Sequence, residues 1–496
     1  MSEIHPLVYR HQYFLSSQEV PLKEGLTRRY IGTYVLDAHP ELSIELVSAG
    51  PWELALVGDV YHAENPAWTN REVLEAAISE EMSKQELLQS LDHCCGSFWI
   101  LACNASEDCE MVFTDMAGSR EFYYHYKNNE FSAASQPKPI ANRLGLPKHE
   151  HEEIIRFFKS GHFSKRKTLV GTETEFEGVN RLKPNHYLDL KTGHVHRYFP
   201  NEQLGRGKLD TVAEKAAMMI RGFVQAVHNR HKLAIPVSAG WESRIFLAAS
   251  KPISSQVAYY VYKHPGYADD HIDVKIPKRL ADKLGIHFNV ITYEPEVSQE
   301  VKDFLEEHLS FPRFNLYNYL INGLHEQLPD HSILNGNISE IARMEYDDIE
   351  VKNGREAAHL IRYPGLNYAT RLCQQWYDES ADVFDKYGYR VSDMLYWEEP
   401  SCNWVAKANT ETRMVTEVTQ PFNCRHLIRL MLTVDKKHRR KQQALLYKKI
   451  IGILWSECLS EPINPSPKKR VIGLMQSLGI YGLYRNLLLR YQLKKS

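Results

Sequence analysis

From about residue 209 onward, short apolar strands alternate with helical stretches, and this constrains the fold more than any single motif. Leu209 to Ala226 has a helical apolar period, and Lys232 to Val237 is a short buried run. Ser238-Ala-Gly-Trp-Glu-Ser-Arg244 turns, and a helix continues over Ile245 to Ser250. Ser255 to Val261 and His287 to Thr292 repeat the strand pattern around a helix at Asp273 to Leu284. After a helical stretch at Val301 to His308, Ile333-Leu334 ends a fourth strand. Strands joined by crossover helices pair in parallel. Such sheets take their ligands beyond the carboxyl ends of the strands. Two unusual loops lie there, 238–243 and 335–346.

The first 200 residues read differently, as mostly β. Leu42 to Val47 alternates, Leu54 to Gly58 is a short apolar run, and Ser97 to Cys103 is dense in aromatic and aliphatic residues. Glu110 to Thr114 is placed to pair with Ser97 to Cys103, and Phe122 to Tyr126 with Glu130 to Ala134 across Lys127-Asn-Asn. Helical stretches around 72–92 punctuate them. The expectation is a layered antiparallel domain ending near Asn201 to Gly207, then the β-α part, then a mostly helical stretch from 350. At 496 residues the chain accommodates two to four domains. With 43% hydrophobic and 25% charged residues it is a globular sequence, not a disordered one. The formal charge of −2 argues against a protein built mainly to grip a nucleic-acid backbone, which is usually more basic, and leaves room for a local basic patch.

The eight cysteines form no Cys-x-x-Cys pair and no zinc spacing, so they read as reduced and buried, Cys94 and Cys95 as small hydrophobes. Met1 to Leu7 has no basic stretch followed by an apolar core, and no window is apolar enough to span a bilayer. A cytoplasmic setting is therefore expected.

The loop at 238–243 has a physical use. Small residues let a backbone approach an anion closely, and the amides of the loop and first helical turn would face outward. Ser238 and Ser243 could add hydroxyls. Glu242 would set a carboxylate beside that anion, which a divalent cation could reconcile. The lysine of an ATP-binding Gly-x-x-x-x-Gly-Lys-Ser/Thr loop is absent. The second loop, Asn335-Gly336-Asn337-Ile338-Ser339-Glu340 with Arg343 and Tyr346, ends another strand of the same sheet, so Glu340 could face Glu242 across the crevice. Two carboxylates share a cleft cheaply only with a cation or a shared proton between them. Magnesium with a triphosphate would serve.

These residues resemble the asparagine synthetase family. Ser238-Ala-Gly-Trp-Glu-Ser243 is similar to its pyrophosphate loop Ser-Gly-Gly-x-Asp-Ser, and Asn335 to Glu340 with Tyr346 to its Ser-Gly-Glu/Asp-Gly-x-Asp-Glu loop. Leu91 to Phe98, Thr114 to Arg120, Phe122 to Tyr124, Phe131 to Ser135 and Glu177 to Asn185 resemble further family stretches, in order. The resemblance implies an α+β glutaminase-like antiparallel sandwich of the Ntn type over 1–205. It implies an α/β ATP-pyrophosphatase domain, adenine nucleotide alpha hydrolase-like with a helical extension, over 206–465. A basic hydrophobic tail follows at 466–496.

The implied function is an ATP-dependent, AMP-forming ligase that adenylates a carboxylate and joins it to an amine or ammonia. ATP and Mg2+ are the implied cofactors. Val237, Ser238, Ala239, Gly240, Trp241, Ser243, Tyr262, Asn335 and Gly336 would bind the nucleotide, and Glu242 and Glu340 the metal. Glu242, Glu340, Tyr346 and a charge-balancing Lys468 or Lys469 would serve catalysis.

Departures refine the expectation. The family glutaminase uses an N-terminal cysteine, whereas here Met1-Ser2-Glu3 opens the sequence and the first cysteine is Cys94. Glutamine hydrolysis is therefore not expected. The amine would belong to a small molecule or peptide, as in β-lactam synthetase and lasso-peptide cyclases. Both signature aspartates are glutamates here, and Asn337 replaces an acid of the amination step, which argues against asparagine as product. Arg343 and Glu345 read equally as helix surface. Asp269 and Asp270 read as caps of the next helix, and Lys436 to Lys441 as a solvated basic face or a contact with an acidic partner, with an anionic second substrate, a peptide or a nucleic-acid backbone as the alternative. The tail, 471–493, reads as a helical hairpin docked on the protein, with a membrane surface as the alternative. Nucleic acid and integral membrane are not expected partners; a second copy or a pathway protein is admissible. A scaffold with a decayed ATP site, or another nucleotide-cleaving enzyme on the same fold, is the competing expectation.

Overall fold

The computed structural model describes residues 10–268, 270–294, 296–465 and 468–495, without the side chains of 468–470 and 477. Its first 200 residues form two six-stranded sheets with antiparallel pairing. One runs Asn180–Arg181, Tyr123–Lys127, Glu130–Ala134, Tyr13–Ser16, Tyr34–Ala38, Thr27–Ile31 in spatial order. The other runs Val195–Arg197, His186–Asp189, Cys109–Thr114, Cys94–Asn104, Trp52–His62, Ile44–Ala49. Strand alternation sends Val57, Trp99 and Leu101 inward against Leu15, Tyr34 and Leu36 of the facing sheet. Leu54, Leu56 and Ile100 point the other way and join the core of the C-terminal half. Both expected hairpins pair in register. Asn128 and Asn129 take φ of +54° and +62°, the conformation that a two-residue hairpin turn needs and asparagine tolerates. Thr27–Ile31, an exposed and largely polar strand, carries no alternation that would reveal it.

The C-terminal half is built on a five-stranded parallel sheet. In chain order its strands are Lys232–Pro236, Ala258–Tyr262, Phe288–Ile291, His331–Leu334 and Val418–Thr419. In space the third, second, first, fourth and fifth are neighbours. The first four match the sequence expectation, and the two-residue fifth is too short to show in a pattern. Because the order reverses between the first and fourth strands, their carboxyl ends flank a crevice. The loops at 237–240 and 335–340 lie there. The helix Leu209–Arg230 precedes the first strand, and Trp241–Ala249 follows it. The helix Leu445–Trp455 packs on both. Beyond 350 the chain is mostly helical, as expected. The helix at Ile272–Leu284 is capped by the His271 side chain, which accepts the Asp273 N–H. Asp270 is therefore not its cap, and Asp269 lies outside the described residues.

Buried ionic groups stitch the two halves together. Arg197 donates to both oxygens of the fully buried Glu398, at 2.5 and 2.9 Å, and Trp376 and Asn185 also donate to that carboxylate. Burial opposes the charge on Glu398, but Arg197 more than offsets it and the pKa falls to about 2. Arg413 donates across the seam to the Ser119 carbonyl and the Ser97 hydroxyl. Removing one partner of a buried pair strands the other's charge. Arg197→Leu should therefore lower the urea unfolding free energy by about 3 kcal/mol or more, measured as a shift of the denaturation midpoint at neutral pH.

Candidate functional site

The strand Lys232–Pro236 ends in a tight loop that feeds the helix Trp241–Ala249. Ser243 Oγ accepts the Ser238 N–H at 3.0 Å, and Ser238 Oγ accepts the Gly240 N–H at 3.1 Å. Two loop amides thus turn inward onto the serines, which corrects the expectation that the loop amides all face outward. The helix has Gly240 as N-cap and no side-chain cap, so its first-turn amides remain a donor set for an anion. Val237 and Ala239 are buried; the Val237 amide bonds the Tyr260 carbonyl. The Trp241 ring sits in the core, so at these three positions the backbone alone could face a ligand.

The second loop comes extremely close to the first. A Cβ on Gly336 would lie 2.4 Å from Glu242 Cβ, so only glycine fits there. Asn335 Oδ1 accepts the Asn337 N–H at 2.9 Å and shapes the turn. Ile338, fully buried and β-branched, is held at φ +83°, and Met344 and Asp347 also have positive φ. Strain of this kind persists only where the surrounding structure enforces it. The Tyr447 hydroxyl does part of that work, donating to the Ser339 carbonyl at 2.7 Å.

The structure brings Glu242 and Glu340 together as expected and adds a third group. Arg343 Nη2 stands 2.7 Å from Glu242 Oε1, an ion pair without hydrogen-bond alignment. Arg343 and Glu345 are therefore not helix surface: Glu345 lies 3.1 Å from Lys441 Nζ. Burial, then repulsion from Glu242, raises the Glu340 pKa to about 8, with Arg343 pulling the other way. Burial works against the charge of Arg343, but the two glutamates more than offset it and its pKa rises. Glu242 Oε1 and Glu340 Oε2 are both out of solvent without a hydrogen-bond partner. Two acid oxygens of this kind could serve a hard cation that brings its other ligands with it. Among the described residues no group of three or more His, Cys, Asp or Glu could form a self-sufficient metal cage.

The C-terminal segment flanks the first loop. Arg244, fully buried, donates to the carbonyls of Cys458, Glu461 and Pro462, and the Asn464 N–H bonds the Ala239 carbonyl at 2.7 Å. This brings the chain beside the loop four residues before Lys468; the side chains of Lys468 and Lys469 lie outside those described. Tyr262 is at the end of the second strand, but its ring packs on Tyr319 at 4.3 Å and tilts edge-on to Tyr260. Among the described residues no hydrogen bond or ring contact joins its ring to the two loops.

Beyond Glu340 a cavity of about 860 Å³ opens. Glu340, Arg343, Glu345, Tyr346, Tyr396 and Trp404 line it, and Arg166, Arg362, Lys441 and Arg485 add positive charge. Five Arg or Lys side chains and two glutamates line it; Arg343, Lys441 and Arg485 are paired with Glu242, Glu345 and Asp347, so the excess positive charge that favours an anion rests on Arg166 and Arg362. Burial, then Glu345, raises the Tyr346 pKa. Its ring lies 6.0 Å from that of Tyr396. Sequence spacing gave no sign of this wall, which six separate segments build. Lys436 to Lys441 is a solvated face only in its first half: Lys436 and Lys437 are exposed, but Arg439 is buried on Asp393, Arg440 pairs with Asp348 and Lys441 with Glu345. An open depression of about 900 Å³ near Glu153 and Glu379 shares no residue with either loop.

No family model matches the chain, and no curated protein does. Among solved structures it is similar to a glutamine phosphoribosylpyrophosphate amidotransferase from B. subtilis complexed with ADP and GMP. Identity is 12%, with 69% of this chain and 73% of that one covered and a TM-score of 0.23. It is also similar to a structure described as the allosteric regulatory enzyme of purine biosynthesis, at 10% identity, 73% of each chain and a TM-score of 0.24. Likeness at that level carries no argument about the site, which stands on its own geometry.

A carboxyl group whose pKa is raised on folding costs stability as pH climbs from its unfolded value to its folded one. For Glu340 that window runs from 4.5 to about 8. Glu340→Gln should therefore leave stability nearly unchanged at pH 5 and raise it at pH 8 by about 2 kcal/mol or more, measured by thermal or urea unfolding across the range.

Proposed function

We propose that the chain is an ATP-dependent, AMP-forming ligase that adenylates a carboxylate and passes the acyl group to an amine, without hydrolysing glutamine. The observation that carries this is the crevice itself. At the point where the strand order reverses, an uncapped helix N-terminus lies beside two acids, Glu340 with a buried oxygen that has no hydrogen-bond partner and Glu242 with one that meets only the unaligned Arg343 guanidinium. The resemblance of both loops to the asparagine synthetase family agrees with it.

In this reading the first-turn amides of 241–243 and the Ser238 and Ser243 hydroxyls hold the polyphosphate. Glu242 and Glu340 would hold Mg2+, which supplies neutralisation of phosphate charge. An acid substrate sits in the cationic cavity, its carboxylate oriented by Arg343. The carboxylate oxygen attacks the α-phosphorus, and the bond from that phosphorus to the bridging oxygen breaks, releasing pyrophosphate. The amine nitrogen then attacks the acyl carbon and AMP departs with the bonding pair. We assign the amine's proton to Glu345, on the cavity wall beside Lys441. All eight thiols have their pKa raised, chiefly by burial, Cys94 to about 12, which is the reverse of what a thiol nucleophile needs.

A second reading has one observation in its favour. Arg343 already neutralises Glu242 from within the chain, as it would in a scaffold that no longer binds a cation. Acid-dependent exchange of labelled pyrophosphate into ATP separates the two. The ligase reading expects exchange with some member of a panel of carboxylic acids and a loss of at least a hundredfold in Glu242→Gln. Absence of exchange together with absence of ATP binding in the parent protein would sink it.

A further inference from the structure

The C-terminal tail forms a two-helix hairpin, Lys468–Ser477 and Tyr481–Lys495, turning at Gly479 with φ +71°. The second helix docks by one stripe. Tyr481, buried, donates to Asp347 Oδ2 at 3.0 Å, and Arg485 faces the same carboxylate at 3.6 Å. Leu489 is buried, and Gln492 meets His359 at 3.2 Å. These residues recur at helical spacing, and Arg485, Leu489 and Gln492 close one side of the cationic cavity. So far the hairpin matches the expectation of docking on the protein.

Its other side does not. Leu483, Leu487 and Tyr491 form a second stripe at helical spacing, exposed by 65%, 55% and 56%, and Leu478 in the turn is exposed by 63%. Among the described residues sixteen large apolar side chains stand exposed, and eight of them lie in 471–491. Such concentration marks an interaction surface, since scattered exposed apolar residues are ordinary and a contiguous group is not. A helix that is apolar all round is normally buried on both sides. The charge points to what covers it. Past Glu461 the sequence has seven Lys or Arg and no acid, in a chain of net charge −2. Arg490, Lys494 and Lys495 are exposed beside the apolar stripe, and Lys495 Nζ lies over the Tyr491 ring at 4.5 Å.

We infer that the hairpin seats the protein on an anionic lipid bilayer, lying in the plane of the headgroups with its Leu483–Leu487–Tyr491 stripe downward. Leucines enter the acyl boundary, tyrosines sit at headgroup depth, and the basic side chains reach up to lipid phosphates. A helix of 15 residues is about 22 Å long, too short to cross the hydrocarbon, and among the described residues no helix is long and apolar enough to do so. Because the docked stripe walls the cavity, its mouth is placed near that surface.

The test is flotation of the full chain with vesicles of phosphatidylglycerol and phosphatidylcholine, and with phosphatidylcholine alone. The parent should float with the anionic vesicles at least tenfold better than with the neutral ones, and less so as salt rises. A Leu483→Asp, Leu487→Asp, Tyr491→Asp variant should lose binding at least tenfold while its thermal transition stays in place. An Arg490→Glu, Lys494→Glu, Lys495→Glu variant should lose the preference for anionic lipid. The inference is overturned if the parent does not float with anionic vesicles. It is equally overturned if sedimentation shows a dimer that the aspartate variant dissociates, for then a second copy covers the stripe.

Discussion

Two negative side chains cannot share a low-dielectric crevice unless something balances them, and the rest of the site is arranged around that balance. Glu242 and Glu340 come from strand ends that the reversal of strand order places side by side. Gly336 lets the loops approach until a single methyl group would not fit. Two devices hold the charge: the Arg343 guanidinium beside Glu242, and a proton kept on Glu340 by burial and by its neighbour. In the proposed function an external cation would take the place of both, freeing Arg343 toward the cavity it lines and releasing the proton.

The scaffold supports this at a distance. The helix Leu445–Trp455 packs on the helix that follows the first loop, and Tyr447 from it fixes the Ser339 carbonyl in the second. Arg244 and Asn464 tie the C-terminal segment to the first loop. The antiparallel sandwich is joined to this half through the Arg197–Glu398 and Arg413 contacts, and its helix at Gly161–Arg166 contributes Arg166 to the cavity. The two halves therefore line one cavity.

The parallel sheet was legible in the sequence because each central strand is a short, buried, continuous apolar run between helices, and both loops were legible because they end such runs. The facing of Glu242 and Glu340 followed from that placement. Other features left no trace. Thr27–Ile31 is paired through its backbone while its side chains are mostly exposed, so no alternation marks it. Arg343 meets Glu242 across about a hundred residues, and nothing local distinguishes it from a surface arginine. The basic run at 436–441 looked solvated because its acids, Asp393, Asp348 and Glu345, lie far away in the sequence. Ile338 is the hardest case: a β-branched residue is the last one that a sequence would suggest for a positive φ.

The most direct measurement of the central claim is the proton balance when magnesium-ATP binds at pH 7. Titration calorimetry in buffers of different ionisation enthalpy gives it. If a cation takes the place of the proton on Glu340, binding releases close to one proton, and Glu340→Gln binds with none released. Binding without proton release in the parent, or the same release in Glu340→Gln, would contradict the account.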